Sequence, residues 1–416
     1  MTAFDPHLRW IDQQHTRMCR LVSDWANINS GTNNLRGLGK LSAELRREFA
    51  CLGGEMTEVP LLPQALVDGR GNKIQSALAP AISIRKHPDA PVRIFLGIHM
   101  DTVYGPDHPF QRVERMDEHT LRGPGVADAK GGLCVMLIAL EALERSEWAG
   151  KIGWEVLINS DEEIGSPGSA PLLAEAGRRN QVGLVYEPAF ADGALVGERK
   201  GSANYSVIVR GRSAHAGRDF HHGRNAMHAA AALVVELDRI NHAMPGVTVN
   251  VGRIDGGGPA NVVPDLAIVR FNVRLPPHEN PERIEAAIQH ALEEIKQRDG
   301  ISVELTGGFS SPPKPMNRAT QRLFDSVIDC GRQLGMTLSY RSSGGVSDGN
   351  KLAAVGLPVV DTLGAVGGNL HSAEEFLLLD SLTERAKLSA LLMMSMGAGE
   401  WEMGNGKPVV SAVEPW

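Results

Sequence analysis

Three acidic residues stand side by side in the stretch Trp154-Glu-Val-Leu-Ile-Asn-Ser-Asp-Glu-Glu-Ile-Gly-Ser166. Val156, Leu157 and Ile158 read as a buried strand. Asp161, Glu162 and Glu163 follow at its carboxyl end, and Gly165 lets the chain turn away. Adjacent carboxylates repel, so holding them in a cleft is costly unless cations balance them. Alone, the triplet is a solvated acidic turn. Other residues of ligating type change that reading: His99, Asp128, Glu187 and His371. A pair of zinc ions needs N and O ligands in tetrahedral or slightly larger shells. Two such ions about 3.5–4 Å apart clamp a shared water and polarise a carbonyl. The clamp needs one bridging carboxylate and, on each metal, roughly one His and one further carboxylate. His99, His371, Asp128, Glu163 and Glu187 supply that inventory without deciding which ligand belongs to which metal. Asp101, two residues after His99, is suited to accept the other imidazole N–H, fixing the tautomer. Glu162 remains as a carboxylate beside a ligand and suits a general base.

These residues need elements to hold them. Residues 81–86 and 93–98 read as a strand pair, with Asp89-Ala-Pro in the turn, and the second strand runs into His99. Asp128 lies in Gly123-Pro-Gly-Val-Ala-Asp-Ala-Lys-Gly-Gly132, ahead of a helix with Leu133, Met136, Leu137, Leu140 and Leu143 on one face. A strand over 182–186 ends at Glu187. A strand over 357–363 leads into Gly364-Ala-Val-Gly-Gly-Asn-Leu-His-Ser372. Open α/β sheets build sites at such strand ends. Helices are expected over 6–29, 40–52, 320–334 and 380–396. Between 199 and 310 the pattern changes to β-α-β-β-α-β, the order of a ferredoxin-like unit. Its strands are expected at 204–210, 248–254, 266–275 and 301–305, and its helices at 225–243 and 281–298. The fold class is therefore α/β: a mixed sheet carrying an inserted α+β unit. The division is 1–198, 199–310 and 311–416. Taken singly, each residue has a plainer role: a His after a strand is usually a loop residue, and an Asp beside glycines often caps a helix. Joint occurrence at strand ends and adjoining loops favours the metal.

Bulk properties narrow the class. At 416 residues, two domains are the natural expectation. A formal net charge of −7 argues against a nucleic-acid binder. Cys19, Cys51, Cys134 and Cys330 are scattered without metal spacing, which fits a reducing cytoplasm; Cys134 reads as core. The first residues lack signal-peptide character, and no apolar run is long enough for a membrane span.

The sequence resembles the co-catalytic zinc exopeptidase family of glutamate carboxypeptidase, aminoacylase, acetylornithine deacetylase and succinyl-diaminopimelate desuccinylase. The resemblance rests on His-Met-Asp-Thr102, Gly-Val-Ala-Asp-Ala-Lys-Gly-Gly132, Asp-Glu-Glu-Ile-Gly-Ser166, Tyr-Glu-Pro188, Ser-Ala-His-Ala-Gly217, Asn-Val-Val-Pro264 and Asn-Leu-His-Ser372, in that order. It implies His99 and Glu187 on one zinc, Glu163 and His371 on the other, and Asp128 bridging. It also implies Glu162 as general base and Asp101 as partner of His99. Two Zn2+ per chain follow, with Co2+ or Mn2+ as substitutes. The insert is implied to be a lid that makes a homodimer. His215 resembles the lid histidine that stabilises the oxyanion, and Asn261 and Arg274 resemble residues that hold a substrate carboxylate. Lys200 is a weaker candidate for that pocket, and Gly344-Gly-Val-Ser-Asp-Gly349 resembles a substrate-wall loop.

Two features depart from the family pattern. Arg218-Asp-Phe-His-His-Gly223 replaces the usual Pro and acidic residue after His-Ala-Gly217, and His221 and His222 read as surface residues. The segment 307–315 lacks an arginine that some glutamate-preferring members carry. The expected activity is zinc-dependent hydrolysis of an amide bond next to a free carboxylate, in a short peptide or an N-acyl amino acid. The rivals are an aminopeptidase or dipeptidase of the same family, and a catalytically inactive binder of small molecules or peptides. Glu187, rather than Asp, at its ligand position leans toward the carboxypeptidase and deacylase branch.

Overall fold

The computed structural model describes residues 2–400, so the end of the expected 311–416 segment lies outside the described residues. In chain order, β1 (Glu55–Val59), β2 (Ala81–Lys86), β3 (Val92–His99), β4 (Ile152–Asn159) and β5 (Val182–Val185) build one sheet. The short strand Val359–Val360 joins it last. The spatial order is β1-β2-β4-β3-β5, with Val359–Val360 beyond β5. The run from β4 through β3 and β5 to that edge is parallel, while β2 runs against β4 and β1 against β2.

Period-2 alternation decides which way each side chain faces. On β3, Ile94, Leu96 and Ile98 enter one core, and Phe95 enters the other. The first core is closed by helices α1 (Asp5–Asp12), α2 (His15–Ala26), α3 (Leu35–Phe49) and α4 (Gly132–Glu144). On the opposite face, α5 (Ala170–Arg179) contributes Leu173 and Ala176. Helices thus cover both faces, as all-buried parallel strands require.

The strand pair expected from residues 81–98 is not formed. β4 lies between β2 and β3 and pairs with both. Every residue of β4 is buried, and most of β2 and β3 are too, so each needs a neighbour on either side. The five residues between β2 and β3 are long enough to step over one strand, about 10 Å of sheet width. The helix expected over 6–29 divides at Gln13–Gln14, where one helix ends and the next begins without a proline. α4 does not carry a single apolar face: it is buried nearly all round, between the sheet and a later helix. The strand expected over 357–363 shrinks to Val359–Val360, because its pairing with β5 reaches only Gly183 and Leu184; beyond it Asp361 accepts from Arg199 and Thr362 Oγ1 accepts the Val196 amide.

The β-α-β-β-α-β stretch forms β6 (Gly201–Arg210), α6 (Ala226–Ala243), β7 (Thr248–Gly256), β8 (Leu266–Leu275), α7 (Pro281–Lys296) and β9 (Ser302–Ser311). The sheet order is β7-β8-β6-β9, antiparallel throughout. Asn225 and Asn280 cap the two helices through their side chains. Val269, Phe271 and Val273 of β8 face a hydrophobic core separate from the first two. The alternate residues Arg270, Asn272 and Arg274 line the other face. There Arg270 donates to the carbonyls of Val67 and Asp68 at 2.8 and 3.2 Å, in the hairpin Gln64–Ser76.

The two chain crossings meet. Arg199 and Lys314 exchange backbone hydrogen bonds at 3.0 and 3.1 Å. Their side chains converge on buried Asp361, with Arg199 Nε at 2.6 Å and Lys314 Nζ at 3.5 Å. After the second crossing come α8 (Arg318–Gln333), α9 (Asp348–Ala354) and α10 (Asp380–Ala398). Among the described residues, no helix is long and apolar enough to cross a membrane.

Candidate active site

β3 delivers His99 at its last position, 1% exposed. Its Nδ1–H faces Asp101, with the backbone carbonyl at 3.1 Å and the carboxylate Oδ1 at 3.3 Å. With Nδ1 so engaged, Nε2 faces Asp128 Oδ1, 3.0 Å away, and Glu187 Oε2, 3.8 Å away. Asp101 does more than orient this ring. Its carboxylate also accepts Thr32 Oγ1–H at 2.7 Å and the amides of Glu162 and Glu163, both at 3.2 Å. One carboxylate therefore locks the β3 end to the turn after β4.

That turn is a single 3-10 turn, Glu162–Ile164, ended by Gly165 at φ +91°. Asp161 points away from the cluster. It accepts the amides of Gly168 and Ser169 and the Ser169 hydroxyl, at 2.6–3.1 Å, and burial raises its pKa to about 6. Glu163 Oε2 lies 3.2 Å from His371 Nε2. The same nitrogen is 3.3 Å from Asp128 Oδ2. Asp128 thus offers one oxygen to each imidazole. His371 sits at φ +61°, uncommon outside glycine, in the loop before α10.

Ligand atoms of His99, Asp128 and Glu163 lie within 4.8 Å of one another, as do those of His99, Glu162 and Glu187. Four carboxylates and two imidazoles crowd one pocket. Burial, and after it Glu187, drives Glu162 well above the usual carboxylate range. Burial and Asp128 raise Glu163 to about 7. Hydrogen bonds to Asp128 and Glu163 push His371 up to about 11. These three groups hold their protons more tightly than usual, while Asp128, despite its burial, is held below the usual carboxylate range by His371 and His99: the carboxylates of this pocket seek positive charge. Glu187 Oε1 is buried without a hydrogen-bond partner among the described residues. Hard oxygen donors with imidazole nitrogen and an unsatisfied carboxylate oxygen fit divalent cations.

The lid candidates are not among these contacts. His215 is exposed on a short strand beside Val262, and its Nδ1 accepts the amides of Gly217 and Arg218 at 3.1 Å. With Nδ1 accepting, the neutral ring carries its proton on Nε2. Asn261 is exposed, and its carbonyl accepts the Ala216 amide at 2.9 Å. Arg274 Nη1, on the β8 face that bears Arg270, is buried without a hydrogen-bond partner among the described residues. Lys200 Nζ donates to the Gly246 carbonyl at 3.1 Å. Ser347, in the 344–349 loop, caps α9, and Asp348 is buried against Asn159 and Ser166. His221 and His222 are exposed and in ring contact.

Sequence reasoning missed four residues that hold the cluster: Thr32, Tyr104, Lys130 and Glu375. Lys130 is 1% exposed and donates to Ser30 Oγ at 2.7 Å. Its place two residues after Asp128, just ahead of Gly131 and Gly132, was the available signal. Glu375, four residues after His371, carried no local signal beyond its charge.

A peptidase dimerisation domain model matches residues 197–300. Carboxypeptidase G2 of Pseudomonas sp. (strain RS-16) is 28% identical over 381 residues, covering 90% of this chain and 88% of the relative. Succinyl-diaminopimelate desuccinylase of Pseudomonas syringae pv. syringae (strain B728a) is 31% identical over 322 residues, covering 71% and 81%. The solved structure of the M20 family metallo-carboxypeptidase Sso-CP2 from Sulfolobus solfataricus superposes with a TM-score of 0.69 at 16% identity, covering 92% of this chain and 99% of that one. The dipeptidase Dug1p from Saccharomyces cerevisiae gives 0.72 at 13% identity, covering 96% and 99%. At such identities the solved structures speak for the fold.

Proposed function

The chain belongs to the M20 family of metallopeptidases and amidohydrolases, and from that premise we propose that it hydrolyses an amide bond next to a free carboxylate. The substrate is a short peptide losing its C-terminal residue or an N-acyl amino acid. The observation that carries the hydrolytic site is Asp128 between two imidazoles, with Nε2 of His99 and of His371 facing different oxygens of one carboxylate. His99 and Glu187 would hold one Zn2+ and Glu163 and His371 a second, with Asp128 placed to serve both. When bound, the pair supplies a polarised carbonyl and water acidic enough to attack it near neutral pH.

The remaining work falls to the chain. Glu162 takes the proton of the attacking water and passes it to the leaving amine. Its burial raises proton affinity, which suits a group that must hold the proton between the two events. Asp101 keeps His99 in the tautomer whose Nε2 is free to ligate. Arg274, with a buried unpaired Nη1, binds the substrate carboxylate together with Asn261. His215 donates its Nε2–H to the developing oxyanion. Residues 199–310 form the lid, and two chains associate through it, bringing His215 to the partner's site. The match of residues 197–300 to a dimerisation domain supports this arrangement.

Release of amino acid from N-acyl amino acids and dipeptides, with C-terminal residues from Glu and Asp through Leu, Phe and Arg, tests the reading. Chelator-sensitive, zinc-restored release that requires the free carboxylate supports it. Equal cleavage of C-terminally amidated substrates would favour the aminopeptidase rival instead.

A further inference from the structure

We propose that Glu375 is a positioning residue: one buried carboxylate that ties three ligand-bearing loops together and so sets the spacing between the two halves of the metal site. The inference rests on the reading of that site given above. Glu375 is 1% exposed. Its Oε1 accepts the amides of Ala127 and Asp128, at 3.0 and 3.1 Å. Its Oε2 accepts the Gly125 amide at 3.1 Å and lies 2.9 Å from the Tyr104 hydroxyl. That hydroxyl is also 2.8 Å from the carbonyl of Ser372. Tyr104 follows the His99–Asp101 segment, and Ser372 follows His371. The loops bearing His99, Asp128 and His371 therefore meet on one side chain.

The geometry of the Asp128 loop shows why this matters. Gly125 stands at φ +71°, and a β-carbon there would come within 2.7 Å of Thr102 and 2.8 Å of Lys130 Nζ. The loop is thus folded tightly, with three amides turned inward toward one anion, a concave arrangement that backbone N–H groups form around negative charge. With the Asp128 amide held, its side chain is delivered between His99 and His371. Fixing that backbone fixes the one ligand shared by both metals.

Placing a further anion under a carboxylate-rich pocket is costly, and a purely structural plug would avoid it. The donors explain the choice. Three partners are N–H groups that can only donate, and a carboxylate offers only acceptors. A glutamine amide would satisfy Ala127 and Asp128 but turn its NH2 toward the Gly125 N–H. Lys130, buried beside the same loop, supplies the opposing charge.

The test uses full-length Glu375→Gln, Glu375→Asp and Tyr104→Phe. Chelator-treated protein is titrated with Zn2+ by calorimetry, magnetic coupling between two bound Mn2+ ions is read by electron paramagnetic resonance, and kcat and KM are measured at saturating metal. For Glu375→Gln we expect metal affinity about 10–100-fold weaker. Inter-metal coupling should change and kcat fall with KM unchanged, with Tyr104→Phe intermediate. Wild-type affinity, coupling and kcat in Glu375→Gln, even with a lowered melting temperature, would overturn the proposal. If Glu375→Gln does not fold, Glu375→Asp and Tyr104→Phe carry the same decision. Failure of the wild type itself to bind two metals would overturn the underlying site reading, a separate outcome.

Discussion

Glu162→Gln isolates proton transfer from metal holding. The side chains are nearly isosteric, and the backbone at this position is held by the Asp101 carboxylate at 3.2 Å, so the turn should persist. Loss of a general base costs about 10²–10⁴ in rate. At about 1.36 kcal/mol per tenfold, that is about 2.7–5.4 kcal/mol on the barrier. Stability should move the other way. In metal-free protein, burial and Glu187 raise the folded pKa of Glu162 above its unfolded value. Such an acid loses stabilisation as pH rises from the unfolded pKa through the folded one, so near neutral pH the buried site disfavours the ionised carboxylate. Gln removes that penalty. Metal-free Glu162→Gln should therefore melt no lower than metal-free wild type at neutral pH, while its metal-loaded form loses kcat. The assay is kcat and KM at metal content matched by elemental analysis, with melting of chelated protein alongside. Turnover within tenfold of wild type at full metal content would refute Glu162 as the base, and loss of one metal would recast it as a ligand.

Other perturbations separate the remaining roles. Arg274→Met should raise KM about 10–100-fold for carboxylate substrates, because a hydrogen bond to a charged group contributes about 1.5–3 kcal/mol; unchanged KM would remove Arg274 from the pocket. His215→Ala should cost about 10²–10³ in kcat. If it acts across the dimer, mixing His215→Ala with Glu162→Gln should restore activity in hybrid dimers, and verified hybrids without recovery would show that it does not. Burial pushes the Asp361 pKa up, but Arg199 and Lys314 more than reverse this and hold it below the usual value. Its stabilising effect is present above the unfolded pKa, near 4, and is lost as pH falls through the folded one. Asp361→Asn should thus cost about 3–5 kcal/mol in urea unfolding at neutral pH, and clearly less in strong acid.

The residues of the cluster were legible because strand-end position and residue chemistry coincide. His99, Glu163 and Glu187 each follow an apolar run, and Asp128 and His371 lie in glycine-rich loops that leave room for them. The ferredoxin-like order was legible because strand and helix periods alternate cleanly between β6 and β9. Strand neighbours were not, because the insertion of β4 between β2 and β3 is a long-range pairing that local pattern does not encode. Glu375 was equally hidden. It serves backbone amides about 250 positions upstream, and backbone donors leave no mark on residue identity. The position of the lid residues depends on packing between distant segments and, in the reading given above, on a second chain.

Zinc titration of chelator-treated protein, with amino-acid release from an N-acyl amino acid followed at each addition, tests the central claim most directly. The account predicts no release without metal and full release at two equivalents per chain. Undiminished release from metal-free protein would contradict it, as would a two-zinc protein inert toward every carboxylate-bearing amide.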